Sequence, residues 1–257
     1  MRDKSPSRYT PAMLSGERNP RIERVEFELR STGVKPTQGR RLVSGIHTRG
    51  YLPHVKREGA RYFVTFRLAD SLPKEVLLRI RAERAARLAP LYAKPTAPGP
   101  GVAAARDPSV LEENEREYFR KLEAYLDQGK GACWLRRPEI AGLVAGALRF
   151  FHGHRYHLNA WVVMPNHIHV VLWPMPNHTL SAIVQSWKRY TAREANKLLG
   201  RTDLAFWQPE AFDHWIRNDE EHARCCSYVL NNPVKARLCA APEEWRWSSA
   251  WREPPSP

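Results

Sequence analysis

The chain has 257 residues, and its 41 Lys or Arg outweigh 27 Asp or Glu to leave a formal charge of +14, which suits one main domain with flanking tails. A surplus this large points to polyanionic partners, since neutralising phosphates releases counterions, but it says little about fold. Four cysteines (Cys133, Cys225, Cys226 and Cys239) form no C-x-x-C pair and no signal-like segment opens the chain, so a reduced, cytoplasmic protein is expected. No apolar run approaches the roughly 18 to 20 residues that span a bilayer, which leaves a membrane role without support.

Residues 1–45 carry ten Lys or Arg among Pro, Gly and Ser without clear periodicity; they read as a mobile basic arm in which "RVEFELR" could form a short strand. "ARYFVTFRLA" (Ala60 to Ala69) alternates like a strand, and "SLPKEVLLRIRAERAARLAPL" switches to helical spacing. A Pro-, Ala- and Gly-rich insertion at about 92–108 follows. Two further helices are expected from "PSVLEENEREYFRKLEAYLDQG" and "RPEIAGLVAGALRFFHG", the second with Pro in its first turn.

"YHLNAWVVM" and "HIHVVLW" read as a hairpin joined at Pro165 and Asn166. The next helix, "TLSAIVQSWKRYTAREANKLLG", ends at Gly200 with an apolar face of Leu180, Ile183, Val184, Trp187, Thr191, Ala195 and Leu198. Lys188, Arg189, Arg193 and Lys197 fall on its other face. "FWQPEAFDHWIR" suggests another strand. Asn218, three residues before Glu221, has the spacing of a capping box, and the helix it opens is expected to end near Pro233. The order of elements predicts an α+β domain with helices packed on an antiparallel sheet.

His167 and His169 share one face of their strand because side chains alternate. Two imidazoles so placed can share a metal, or they can be ordinary polar residues on an exposed face. Ile168, Val170 and Leu172 point the other way, into the core. "MPNHIHVVL" resembles the histidine-hydrophobic-histidine motif of the single-tyrosine HUH transposases, in particular the REP-associated tyrosine transposases. "FWQPEAFDHWIRND", "YVLNNPVKARL" and "PEEWRWSSA" match the same family in the same order, and the resemblance runs from about Gly45 to Trp251. The long basic arm and the Pro-rich insertion depart from the compact family pattern.

That resemblance implies a ferredoxin-like (RRM-like) sandwich over residues 46–252, with 253–257 as a tail. It also implies a protein, usually a homodimer, that cuts and rejoins single-stranded DNA near hairpins through a tyrosine and one divalent metal. On it, His167 and His169 bind the metal, Tyr228 is the nucleophile, and Asn232 supplies the third ligand. Two imidazoles, an amide oxygen and phosphate oxygens suit Mg²⁺ or Mn²⁺ better than a structural zinc.

The residues support this chemistry without the name. A phosphodiester repels nucleophiles, so a phenol with an ordinary pKa near ~10 needs the phosphate polarised; attack would leave a phosphotyrosine that stores the bond for rejoining. Arg224, Tyr228 and Asn232 fall four residues apart on one helical face, although Pro233 is expected to push Asn232 to the helix end. Tyr190 is the rival nucleophile, and Tyr228 as a packing residue is the bland alternative. Lys188, Arg189, Arg193, Arg217 and Arg224 are the candidate DNA contacts, with Trp207 either a base-stacking platform or core. A hairpin-binding protein that does not cut, and a nuclease that activates water, remain as rival functions.

Overall fold

The computed structural model describes residues 45–48, 53–56, 59–92, 108–202 and 204–253. Most of the expected basic arm with "RVEFELR", the body of the Pro-rich insertion and the end of the tail lie outside the described residues. A two-stranded antiparallel ribbon, β1 (Gly45–Thr48) and β2 (Pro53–Lys56), precedes the main sheet and was not anticipated from the sequence.

The main sheet contains β3 (Arg61–Arg67), β4 (Tyr156–Val163), β5 (His167–Pro174) and β6 (Phe212–Ile216) in the order β4-β5-β3-β6. Every neighbouring pair is antiparallel. Numbered by their order in the chain, these strands stand 2-3-1-4, with helical connections between the first and second and between the third and fourth. That is the ferredoxin-like βαββαβ arrangement. The helices are α1 (Lys74–Tyr92), α2 (Pro108–Leu126), α3 (Pro138–Phe150), α4 (Leu180–Leu198) and α5 (Asp219–Lys235).

One face of the sheet packs on α3 and α4. Phe66 of β3 meets Trp187 of α4 and, edge-on, Trp207. The indole of Trp187 donates to the Tyr156 hydroxyl at 2.9 Å, which donates to the Leu148 carbonyl at 2.8 Å, so the aromatic core leaves no polar tip unpaired. Trp207 is likewise core, donating to Thr191 Oγ1 at 2.9 Å, and is no base platform. Ile183, Val184, Trp187, Thr191 and Ala195 are buried as expected, but Leu180 is only half-buried and Leu198 is 52% exposed.

The opposite face is also covered. Phe63, Ala160, Val162 and Val171 of the sheet pack with Tyr118 of α2 and Val229 of α5. The sheet therefore separates two helical layers, and the histidine side of β5 is interior. The reading of an exposed polar face fails there: His167 is 1% and His169 0% exposed.

Two local expectations for α5 need correction. Asn218 caps the helix by accepting from the Glu221 amide at 2.8 Å, but Glu221 does not complete the box. Its carboxylate takes the Arg217 amide at 2.8 Å and His214 Nε2 at 2.9 Å, locking the end of β6 to the start of α5. The helix also runs through Pro233 to Lys235. Proline removes one donor, yet the Asn232 carbonyl still accepts from the Ala236 amide at 3.0 Å, so Asn232 sits inside the last turns and is 1% exposed.

The C-terminal segment docks on β4 as the final motif suggested, by backbone pairing and not merely by ending a turn. Val163 N donates to Trp247 O at 2.8 Å and Ser249 N to Trp161 O at 2.9 Å, while Ser249 Oγ accepts from Trp161 N at 3.0 Å.

The exit of α2 is pinned where Gly131 turns at φ +88 against Asp70, whose carboxylate accepts the Ala132 amide at 2.8 Å. A Cβ on Gly131 would lie 2.6 Å from the Asp70 carbonyl oxygen, whereas Gly153, at φ +80, has open space around it. Gly153→Ala should therefore cost only the left-handed penalty of about 1–2 kcal/mol, and Gly131→Ala clearly more, read as the larger fall in urea midpoint. Equal midpoints would show that the Asp70 contact does not hold α2.

Candidate metal and nucleophile site

β5 presents His167 and His169 to the layer of α2 and α5, and their Nε2 atoms stand 3.0 Å apart. The other nitrogen of each ring is held. Asn166 Nδ2 donates to the carbonyls of Leu126 and Lys130 at 3.2 and 3.1 Å, which aims its Oδ1 at His167 Nδ1, 2.7 Å away. An amide oxygen only accepts, so His167 carries its proton on Nδ1 and leaves Nε2 as a lone pair. Thr65, the cross-strand partner of His169, places Oγ1 2.7 Å from His169 Nδ1. Orientation of imidazoles by such outer contacts is the arrangement that metal-binding histidines require.

Sequence reasoning missed the third member. Glu123, buried on α2, sets Oε2 3.2 Å from His169 Nε2, and the Tyr228 hydroxyl donates to that same oxygen. One ligand atom from each of Glu123, His167 and His169 lies within 4.8 Å of the others. Nothing local marks Glu123 among the many acids of its helix. The only signal was its place on the apolar face, one residue after Leu122 and three before Leu126.

Tyr228 reaches the cluster from α5, its ring edge-on to His169 and Phe63 with centroids 5.5 and 5.8 Å away. One turn further on, the Asn232 amide is buried with neither its oxygen nor its nitrogen hydrogen-bonded, and Glu123 Oε1 also has no partner. Orphaned acceptors of this kind are costly when left dry, and they fit an oxygen-seeking cation. The spacing of the imidazoles fits as well: ligands at about 2.1 Å in cis octahedral positions stand about 3.0 Å apart.

The electrostatics follow from burial and crowding. Burial alone would raise the Glu123 carboxyl, but His169, His167 and the Tyr228 hydroxyl outweigh it and hold the group down at about 2. Burial, and then His169, lowers His167 to about 3. The Tyr228 phenol is pushed well above its ordinary range by burial, then by the charge and hydrogen bond of Glu123 and by Asp127, so in this arrangement it keeps its proton.

The remaining sequence candidates are not gathered here. Lys188, Arg189 and Arg193 lie on α4, across the sheet. Lys188 Nζ donates to the carbonyls of Gln208 and Pro209 at 2.5 and 2.7 Å, and burial, then Arg67, lowers it to about 8. Arg193 bonds Glu194 at 2.7 Å. Tyr190, on the same helix, is likewise separated from the histidines. Arg217 is exposed at the end of β6, its guanidinium 5.9 Å from the Trp215 ring centroid. Arg224 shares the helix of Tyr228, but it is exposed and 3.9 Å from Glu220.

Residues 148–232 match the family model described as transposase IS200 like. A curated relative from Escherichia coli (strain K12), a REP-associated tyrosine transposase, is 29% identical over 98 residues; the match covers 38% of this chain and 56% of the relative, so it spans little more than half the relative's length. A solved structure of a REP-associated tyrosine transposase bound to a REP hairpin aligns over 79% of this chain and 81% of that one, at 16% identity and a TM-score of 0.41. No helix among the described residues is long and apolar enough to cross a membrane.

Both titrations of the cluster act in one direction. His167 falls from 6.5 to about 3 on folding and Glu123 from 4.5 to about 2, so in the acid range the unfolded chain binds protons that the native state refuses. The stability these two groups contribute is fully present above about pH 6.5 and is lost as pH falls, first through His167 and below about 4.5 through Glu123 as well. Urea unfolding of the metal-free protein should thus weaken between pH 7 and 4, and His167→Gln should lose less over that interval. Identical slopes for the two proteins would mean that His167 is not buried as the neutral ring.

Proposed function

We propose, from the match of residues 148–232 to the family model described as transposase IS200 like, that this chain is a single-tyrosine DNA strand-transferase acting on single-stranded DNA beside REP-like hairpins. The observation that carries the reading is the meeting of Tyr228 with His167 and His169 in one buried cluster. The REP association follows the name of the curated relative, single-stranded DNA beside hairpins follows the motif resemblance of the sequence, and a polyanionic substrate agrees with the charge of +14. A cytoplasmic location and a homodimeric state belong to the same proposal.

In this reading His167, His169 and Asn232 hold Mg²⁺ or Mn²⁺, a hard to borderline ion suited to imidazole and oxygen donors. Such an ion, when bound, polarises the scissile phosphate. Tyr228 gives up its proton as its oxygen bonds to phosphorus; the bond from phosphorus to the 3′ oxygen breaks, and that oxygen leaves as a hydroxyl after taking a proton. The protein then carries a 5′-phosphotyrosine, and reversal by another 3′ hydroxyl rejoins the strand without a nucleotide cofactor. Asn166 and Thr65 keep the imidazole lone pairs aimed inward. Arg217 and Arg224 are assigned to the strand near Tyr228, and Lys188, Arg189 and Arg193 to flanking DNA across the sheet.

The test is to incubate the protein with hairpin-tailed single-stranded DNA and Mn²⁺ and to look for a protein-linked product. Tyr228→Phe removes one oxygen and should abolish both cleavage and adduct, while hairpin affinity changes by less than about threefold; His167→Ala should also abolish cleavage. Normal cleavage without an adduct in Tyr228→Phe would establish the water-activating nuclease instead. Binding without cleavage in the wild type would leave a hairpin-recognition protein.

A further inference from the structure

Glu123 stands outside the stretch that the family model matches, yet it touches both halves of the proposed machinery. Its Oε2 lies 3.2 Å from His169 Nε2 and accepts the Tyr228 hydroxyl, whereas Oε1 is buried without a partner. The Nε2 of His167 is a lone pair, because Asn166 claims the proton on Nδ1, and it faces His169 Nε2 at 3.0 Å. Electron pairs of a carboxylate and the imidazoles therefore point at one small volume. A hydrogen on His169 Nε2 can bridge them in the metal-free protein, and a cation can take its place when one is supplied.

We infer that Glu123 ties the nucleophile to the metal: one carboxylate oxygen ligates the ion beside His167 and His169 while the other keeps the Tyr228 hydroxyl. The division follows from the two oxygens being unequal. Oε2 is engaged by Tyr228 and lies beside His169 Nε2, whereas Oε1 is buried with no partner and is free to ligate. A carboxylate used in this way is a spacer of fixed length, so the phenol oxygen is held one side chain from the ion before DNA arrives. Phe63 and Phe119 wall the arrangement, packing edge-on to Tyr228 at 5.8 and 6.2 Å between ring centroids, which leaves the phenol little freedom to seek another partner.

The inference rests on the proposed metal site but is separable from it. Mn²⁺ affinity is measured by titration calorimetry on the full chain without DNA, for wild type, Glu123→Gln, His167→Ala, Tyr228→Phe and the double variant Glu123→Gln/Tyr228→Phe. Glu123→Gln keeps the shape and should weaken Mn²⁺ on the order of 10- to 100-fold with metal-free melting shifted by only a few degrees. Tyr228→Phe should change Mn²⁺ affinity several-fold in the wild-type background and not at all in the Glu123→Gln background, since the tyrosine reaches the ion only through that carboxylate. Should Glu123→Gln fail to fold, Glu123→Asp keeps the charge but withdraws it by one methylene, and should likewise weaken Mn²⁺.

Wild-type affinity in the Glu123 variant, with binding lost in His167→Ala, would overturn the ligand role and leave the proposed function standing. Equal effects of Tyr228→Phe in the two backgrounds would overturn the link. Undiminished binding in both His167→Ala and Glu123→Gln would remove the metal site itself, and the proposed function with it.

Discussion

A carboxylate, two imidazoles and a phenol packed between a sheet and two helices form the constraint to which the rest of this structure answers. Taken dry and singly, each would cost several kcal/mol, so their positions have to be settled together. Asn166, itself buried, uses its nitrogen on the carbonyl of Leu126, the last residue of α2, and on that of Lys130 just beyond it, and its oxygen on His167. The turn between β4 and β5 thereby fixes where α2 ends and which way an imidazole faces. Thr65 performs the second of these tasks for His169 from the neighbouring strand. Loss of any one contact would leave an unsatisfied group in the interior, which is why the polar cluster can act as a rigid unit.

Much of the scaffold was readable from side-chain periodicity. The alternation of Arg61–Arg67 and the break at Pro165 and Asn166 correspond to β3 and the β4-β5 hairpin, and the Ile183, Val184 and Trp187 spacing to the buried stripe of α4. The histidine face was harder. Alternation reports that His167 and His169 share a side, but not that a second helical layer covers that side, because the covering residues come from elements more than 40 positions away in either direction. Glu123 was illegible for a related reason. In a helix with Glu112, Glu113, Glu115 and Glu117 as well, only the tertiary packing distinguishes the acid that faces inward.

Pro233 gives the opposite lesson. It was expected to push Asn232 out of helical dihedrals and to the helix end, yet the helix carries through it to Lys235. Val229 and Pro233 are both buried, and α5 packs against β4 and β5, so tertiary contact sustains the last turn where intrinsic preference would end it. The consequence falls on Asn232, which is kept in helical register with Tyr228, inside the core.

The docking of Trp247 and Ser249 on β4 has a bearing on how molecules of this protein meet. An outermost strand with free amides and carbonyls is a template for any other extended chain, and uncontrolled pairing of that kind leads to aggregation. Here the backbone groups of Trp161 and Val163 on the outer side of β4 are already taken by the chain's own C-terminal segment. A second copy cannot extend the sheet along that stretch without first peeling the segment away. Self-association by strand addition is therefore opposed at Trp161–Val163 by an internal competitor at very high effective concentration.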